Sequence, residues 1–147
     1  MSYTSLTYHM IFPTKDRKPF ISADLRPRLV KYVGGIIREL EGRMLEADGP
    51  EDHLHVVAVL GPAHSIAEAV RIIKANSSKW VHETFPDAIF AWQDGYSAFS
   101  VSPSQLPKVI SYVRKQQEHH RKTSFRDELT ALFKAHGIQY DEKYLPA

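Results

Sequence analysis

The stretch Glu51-Asp52-His53-Leu54-His55-Val56-Val57-Ala58-Val59-Leu60 decides how this chain folds. It is apolar and β-branched, with Gly49-Pro50 before it and Gly61-Pro62 after it, and so reads as a strand. Successive side chains of a strand point to opposite faces, which puts His53 and His55 on one face, roughly 7 Å apart. Val57 and Val59 continue that face, and Leu54, Val56, Ala58 and Leu60 form the other. A strand apolar on both faces is central and covered on both sides. Two imidazoles at its start, beside Asp52, then need a partner: a metal, a phosphate or hydrogen bonds.

Working outward, Arg43 to Asp48 reads as a strand that Gly49-Pro50 turns into the histidine strand, giving an antiparallel hairpin. Upstream, Tyr3 to Phe12 is aromatic and β-branched, a first strand that Pro13 ends or places near an edge. Ser22 to Glu41 is helical, with Leu25, Leu29, Tyr32, Val33, Ile36, Ile37 and Leu40 on one stripe. Downstream, Ser65-Ile66-Ala67-Glu68 is a capping box that opens a second helix. Its buried stripe is Ile66, Ala69, Val70, Ile73, Ser77, Trp80 and Val81. Its other face carries Arg71, Lys74, Ser78, Lys79 and His82, a basic surface that suits solvent or phosphate.

Ser97 to Val101 alternates as a strand, after an aromatic segment in which Trp92 is expected in the core. Ser102-Pro103-Ser104-Gln105 is expected to open a third helix, with Ser102 as N-cap and Pro103 at the first position. On it Tyr112 and Gln116 are one turn apart and side by side. Ser124 to His136 is a last amphipathic helix, with Phe125, Leu129, Leu132 and Phe133 inward, ending at Gly137-Ile138 in a Schellman arrangement. The order β-α-β-β-α-β(β)-α-α predicts an α+β, ferredoxin-like (RRM-like) antiparallel sheet with helices mainly on one face.

The 147 residues suit one domain, here 1–147 with 124–147 as a helical extension. The chain has no cysteine, which excludes disulfides, thiolate metal sites and cysteine nucleophiles. Any metal must be held by histidine, carboxylate or amide. There is no apolar run of membrane-spanning length and no signal-peptide pattern, so a cytoplasmic location is expected. A net charge of +2 gives no global reason to bind nucleic acid, leaving local patches to do so.

His-x-His alone is a weak motif, and histidines satisfied by backbone or by Asp52 explain it as well. The combination says more. Two imidazoles on one strand face, with an amide or carboxylate from a nearby helix, make an open metal site able to polarise a phosphate. A tyrosine one turn from that third ligand can attack the same phosphorus.

Here the sequence resembles a known family. His53-Leu54-His55 resembles the His-hydrophobic-His (HUH) motif. Tyr112 with Gln116 resembles the catalytic helix of the single-tyrosine HUH transposases of the insertion sequence 200/605 type, including the REP-associated tyrosine transposases. The resemblance also takes in Tyr8 to Phe12 with Lys15 to Pro19, Lys74 to Trp80, and Trp92 to Tyr96. It implies a DNA transposase that binds single-stranded hairpin DNA, cleaves it through a 5′-phosphotyrosine and rejoins strands. It makes Tyr112 the nucleophile and His53, His55 and Gln116 the ligands of a divalent metal, Mg or Mn. Candidate DNA contacts are Lys15, Arg17, Lys18, Arg71, Lys74, Lys79, Arg114, Lys115, Arg121 and Lys122. It also implies a homodimer with composite sites, or a monomer as among REP-associated relatives. His119 and His120 stay outside the expected ligand set, as phosphate or solvent contacts.

Two other readings compete. One is a domesticated, non-transposing protein that binds hairpin DNA on the same fold, and such a protein has no need of the full set Tyr112, Gln116, His53 and His55. The other is a two-histidine phosphoesterase, which needs a second His-x-Thr/Ser motif. Only His82-Glu83-Thr84 fits that pattern, and it sits in a helical stretch.

Overall fold

A computed structural model describes residues 1–120 and 122–145. Its sheet has four antiparallel strands: β1 (Thr7–Pro13), β2 (Arg43–Asp48), β3 (His53–Val59) and β4 (Ser97–Ser100), in the order β2-β3-β1-β4. With α1 (Leu25–Glu39) after β1 and α2 (Ile66–Thr84) after β3, this is the ferredoxin-like arrangement. Three shorter helices follow: α3 (Leu106–Arg114), α4 (Gln116–His119) and α5 (Phe125–Ala135).

The histidine strand is central. It pairs with β1 on one side, Ile11 opposite His55 and Pro13 opposite His53, and with β2 on the other. Every residue from His53 to Ala58 is fully buried. The hairpin before it needs glycine at its turn, since a Cβ on Gly49 would lie 2.2 Å from the His53 carbonyl oxygen.

Strand alternation sorts the sheet into two faces. Met10, Phe12, Leu54, Val56 and Ala58 join Leu29, Val33 and Ile37 of α1 and Val70, Ile73 and Val81 of α2 in the main core. Gly34 lets α1 sit close to β2, for its Cβ would meet the Met44 Cε at 3.0 Å. The opposite face presents His9, Ile11, His53, His55 and Phe99. There Ile11 and Phe99 pack with Phe125 and Leu129 of α5 in a second, smaller cluster. The two long helices thus hold one face, while the short C-terminal helices close over the other. Trp92 is buried, as expected, and its indole N–H donates to Ser77 Oγ at 2.9 Å.

The first helix is shorter than expected, Leu25–Glu39 in place of Ser22 to Glu41, and the elements differ from expectation in three further places. β1 starts at Thr7 and leaves Tyr3 exposed. The third helix does not start at Ser102-Pro103. Ser102 Oγ pairs with Ser104 Oγ at 3.1 Å instead of capping, residues 103–105 form a turn, and α3 begins at Leu106 with Pro107 in its first turn. That helix also stops at Lys115, whose backbone (φ −103°, ψ 19°) leaves helical geometry, so Tyr112 ends on α3 and Gln116 on α4. The last helix is as expected. Ser124 caps it through the Asp127 N–H, and Ile138 N–H returns to the Phe133 carbonyl past a left-handed Gly137 (φ +65°).

Candidate active site

Each motif histidine has its Nδ1 held from outside, which aims its Nε2 inward. His53 Nδ1 lies 2.8 Å from Asp52 Oδ1, and Asp52 Oδ2 accepts from Arg17 at 2.9 Å. His55 Nδ1 lies 2.7 Å from His9 Nε2, on the neighbouring strand. Metal-binding histidines carry this kind of support, which fixes ring orientation and tautomer. On the inner side stands Glu128 of α5. Its Oε1 is 3.1 Å from His55 Nε2, 3.4 Å from His53 Nε2 and 2.9 Å from His120 Nε2. His53 Nε2 and His120 Nε2 are 3.0 Å apart.

The other Glu128 oxygen meets the predicted catalytic pair. Oε2 accepts a hydrogen bond from the Tyr112 hydroxyl and another from the Gln116 amide nitrogen, the latter at 3.0 Å. His119 Nε2 is 3.4 Å from the same hydroxyl. The Tyr112 and His55 rings are edge to face, 6.0 Å between centroids. His53, His55, Tyr112 and Gln116 therefore converge on one carboxylate, all from a single chain. Gln116 is fully buried, and its Oε1 has no hydrogen-bond partner. A buried amide oxygen with no hydrogen-bond partner, on a side chain held by the same carboxylate as both motif imidazoles, is a donor suited to a metal.

The electrostatics follow from burial and from these contacts. Burial lowers the His55 pKa to about 4 and that of His9 to about 3, so both rings are neutral near pH 7. Burial acts the same way on His53, but hydrogen bonds to Asp52 and Glu128 outweigh it and raise its pKa. Burial would raise Asp52, yet the contacts with His53 and Arg17 hold it below the usual carboxylate range. Glu128 is likewise pushed up by burial and pulled far down by hydrogen bonds with His120, His53 and His55. Burial, and then the Glu128 charge, raise the Tyr112 phenol above its ordinary value. Tyr112 is thus a neutral hydroxyl, and the site needs an added positive charge to favour its phenolate.

The basic residues scatter. Lys115 and Lys122 line a shallow cleft with Tyr112, Glu118 and His119. Lys15 and Lys18 are exposed in the loop after β1, while Arg17 stacks over Phe125 at 4.8 Å and braces Asp52. Arg114 pairs with Glu46 at 2.9 Å. Arg71, Lys74 and Lys79 ride on α2, in the layer across the sheet from Tyr112. Lys74 there reaches the Gln93 and Gly95 carbonyls at 2.6 and 2.8 Å, and Lys79 lies 3.9 Å from Glu83. Arg121 lies outside the described residues.

Sequence reasoning missed Glu128 and left His120 aside. A signal for Glu128 existed. It is three residues from Phe125 and four from Leu132, on the inward stripe of a capped helix, and an acid there needs a buried partner.

Comparison with known proteins identifies the family and the fold. The family model described as "Transposase IS200 like" matches residues 2–116. The transposases for insertion sequence element IS200 from Salmonella typhimurium LT2 and from Salmonella typhi are 28% identical to this chain over 124 residues, 78% of this chain and 78% of theirs. Among solved structures, a Deinococcus radiodurans R1 protein crystallised as a candidate transposase superposes with a TM-score of 0.63 at 21% identity, over 78% of this chain and 93% of that one. A REP-associated tyrosine transposase bound to a REP hairpin superposes with a TM-score of 0.61 at 13% identity, over 82% of this chain and 72% of that one. His120 and Glu128 lie beyond the residues that the family model matches.

Proposed function

The chain belongs to the IS200-like transposase family, and on that footing we propose that it cuts and rejoins single-stranded DNA at hairpin ends. The observation that carries this reading is the meeting of the Tyr112 hydroxyl, the Gln116 amide and both motif histidines at the two oxygens of one buried carboxylate. Tyr112 is the nucleophile. Its oxygen bonds to phosphorus as the bond from phosphorus to the 3′ oxygen breaks. The phenolic proton that is lost is balanced by the proton gained on the released 3′ oxygen. The product is a 5′-phosphotyrosine, and the reverse attack by a 3′-hydroxyl rejoins strands. His53, His55 and Gln116 would hold a divalent ion, Mg or Mn, which would supply Lewis-acid polarisation of the phosphate and lower the cost of ionising Tyr112.

Asp52 and His9 orient the two imidazoles, and Arg17 steadies Asp52. Lys115 and Lys122, which line the cleft at Tyr112, are suited to the DNA backbone, as are Lys15 and Lys18 on the exposed loop. Residues 1–147 act as one domain, with α5 in its C-terminal extension. No helix among the described residues is long and apolar enough to cross a membrane, and we place the activity in the cytoplasm. The homodimer implied by the family resemblance is not needed to complete the site, because one chain supplies both its histidines and its tyrosine.

The test uses single-stranded hairpin oligonucleotides with flanking sequence, incubated with Mn. The wild type should form a detergent-resistant protein–DNA adduct, and Tyr112→Phe should form none while still binding the hairpin. An adduct of wild-type yield from Tyr112→Phe would remove Tyr112 as nucleophile.

A further inference from the structure

The centre contains more donors than two histidines and an amide. One ring nitrogen from each of His53, His55 and His120 and a carboxylate oxygen of Glu128 all lie within 4.8 Å of one another, on residues that are buried or nearly so. Four contacts among them measure 3.0 Å (His53 to His120), 3.1 Å (His55 to Glu128), 2.9 Å (His120 to Glu128) and 3.4 Å (His53 to Glu128). Ligand atoms bound tetrahedrally at about 2.0–2.2 Å from one ion sit about 3.3–3.6 Å apart. The observed spacings lie at the lower end of that range or a few tenths of an ångström below it, so a small outward shift of the side chains would admit one ion.

If His53 gives its Nδ1 hydrogen to Asp52, the neutral ring has only a lone pair at Nε2. That lone pair faces His120 Nε2, whose single hydrogen is also within reach of Glu128. One cation would engage all four lone pairs at once.

We propose that His120 and Glu128 join His53 and His55 in a closed four-ligand site for a transition-metal ion of the zinc class. The proposal rests on the reading that the two motif histidines hold a metal, and it changes the ligands and the ion. Three imidazoles with one carboxylate suit Zn²⁺ or Co²⁺, whereas Mg²⁺ favours oxygen donors and retained water. A site with four protein ligands leaves no open position, so this is the metal-holding form of the chain without DNA. Both added ligands come from the segment beyond residue 116, where the family model stops.

The test titrates EDTA-stripped full-length protein with Zn²⁺, Co²⁺, Mn²⁺ and Mg²⁺ in turn, against a chromophoric chelator. One equivalent of Zn²⁺ should bind far more tightly than Mg²⁺, and the Co²⁺ form should show the intense visible bands of a four-coordinate ion. His120→Ala and Glu128→Gln should each weaken Zn²⁺ binding by at least about 10-fold, the lower end of what even outer-shell changes cost. They should also pale the Co²⁺ spectrum.

In case either variant unfolds, the unmutated Co²⁺ protein gives a second measurement. Its paramagnetically shifted imidazole N–H signals should count three histidines. Two signals, or wild-type Zn²⁺ affinity in both variants while His53→Ala loses it, would overturn the four-ligand site and leave the two-histidine metal centre standing. A wild type that binds none of the four ions would overturn both.

Discussion

Asp52 precedes His53 by one residue and does much of the orienting at the centre. One of its oxygens faces His53 Nδ1 and the other accepts from Arg17, so the imidazole is held in one tautomer with Nε2 free for the site. Asp52→Asn keeps the shape and removes the charge. We expect divalent-metal affinity to fall about 10- to 100-fold, read by titration of stripped protein, with the fold retained. Unchanged affinity would mean that Asp52 serves the β2–β3 hairpin alone.

His9 supports His55 in the same manner, and here the pair sets a pH dependence. Both have folded pKa values below the ordinary 6.5, at about 3 and about 4. The unfolded chain takes up protons below about 6.5 and the folded chain does not. The stability these two contribute is therefore full above that value and is lost as pH falls toward 4. His53 has the opposite sign, since its raised pKa adds stability below about 6.5. In metal-free protein we expect the melting temperature to fall from pH 6.5 to pH 4, and to fall less steeply in His9→Gln. Equal slopes for the two proteins would remove His9 from the titrating pair.

The histidines, Asp52, Tyr112 and Gln116 could be read from the sequence because each belongs to a short pattern on one element. Glu128 was marked only as an acid on an inward stripe, and its partners could not be read, because they depend on α5 folding back over β3 and β1, a contact set by tertiary packing. His120 was hidden for a related reason, since the chain had to break before it.

That break is the feature of the elements that matters most. A continuous helix from 106 to 119 would place Tyr112 and Gln116 on one turn. The structure interrupts it at Lys115, so each residue approaches Glu128 from its own helix. The periodicity of this segment did not show the interruption, for the apolar positions keep helical spacing up to Val113 and no glycine or proline marks the end. The cap of α5, in contrast, was plain in the sequence at Ser124. Ser124→Ala should cost about 1 kcal/mol of helix stability. Hydrogen exchange should show it as faster exchange across residues 125–135 than in the sheet. Uniform acceleration across the whole chain would indicate that α5 is no separate unit.

At the scale of the molecule, the sheet separates two tasks. One face packs α1 and α2 into the main core, and the other presents the histidines to α3, α4 and α5. This plan was legible because β3 is apolar on both sides, which only a central strand tolerates, and because helices alternate with strands around it. What the linear order left open was how the last third of the chain lies on the second face. There the helices are short and amphipathic, and many packings satisfy the same pattern. The outcome is a site enclosed by one chain, with Tyr112 turned toward the point at which His53 and His55 meet.

That convergence is tested most directly by locating the covalent product. The protein is incubated with a hairpin-bearing single-stranded oligonucleotide, once with Mn and once with EDTA, then digested, and the nucleotide-linked peptide is identified by mass spectrometry. The predicted result is a phosphodiester-linked adduct on the peptide that contains Tyr112, formed with Mn and absent with EDTA. An adduct on any other tyrosine, or the same yield in EDTA, would contradict it.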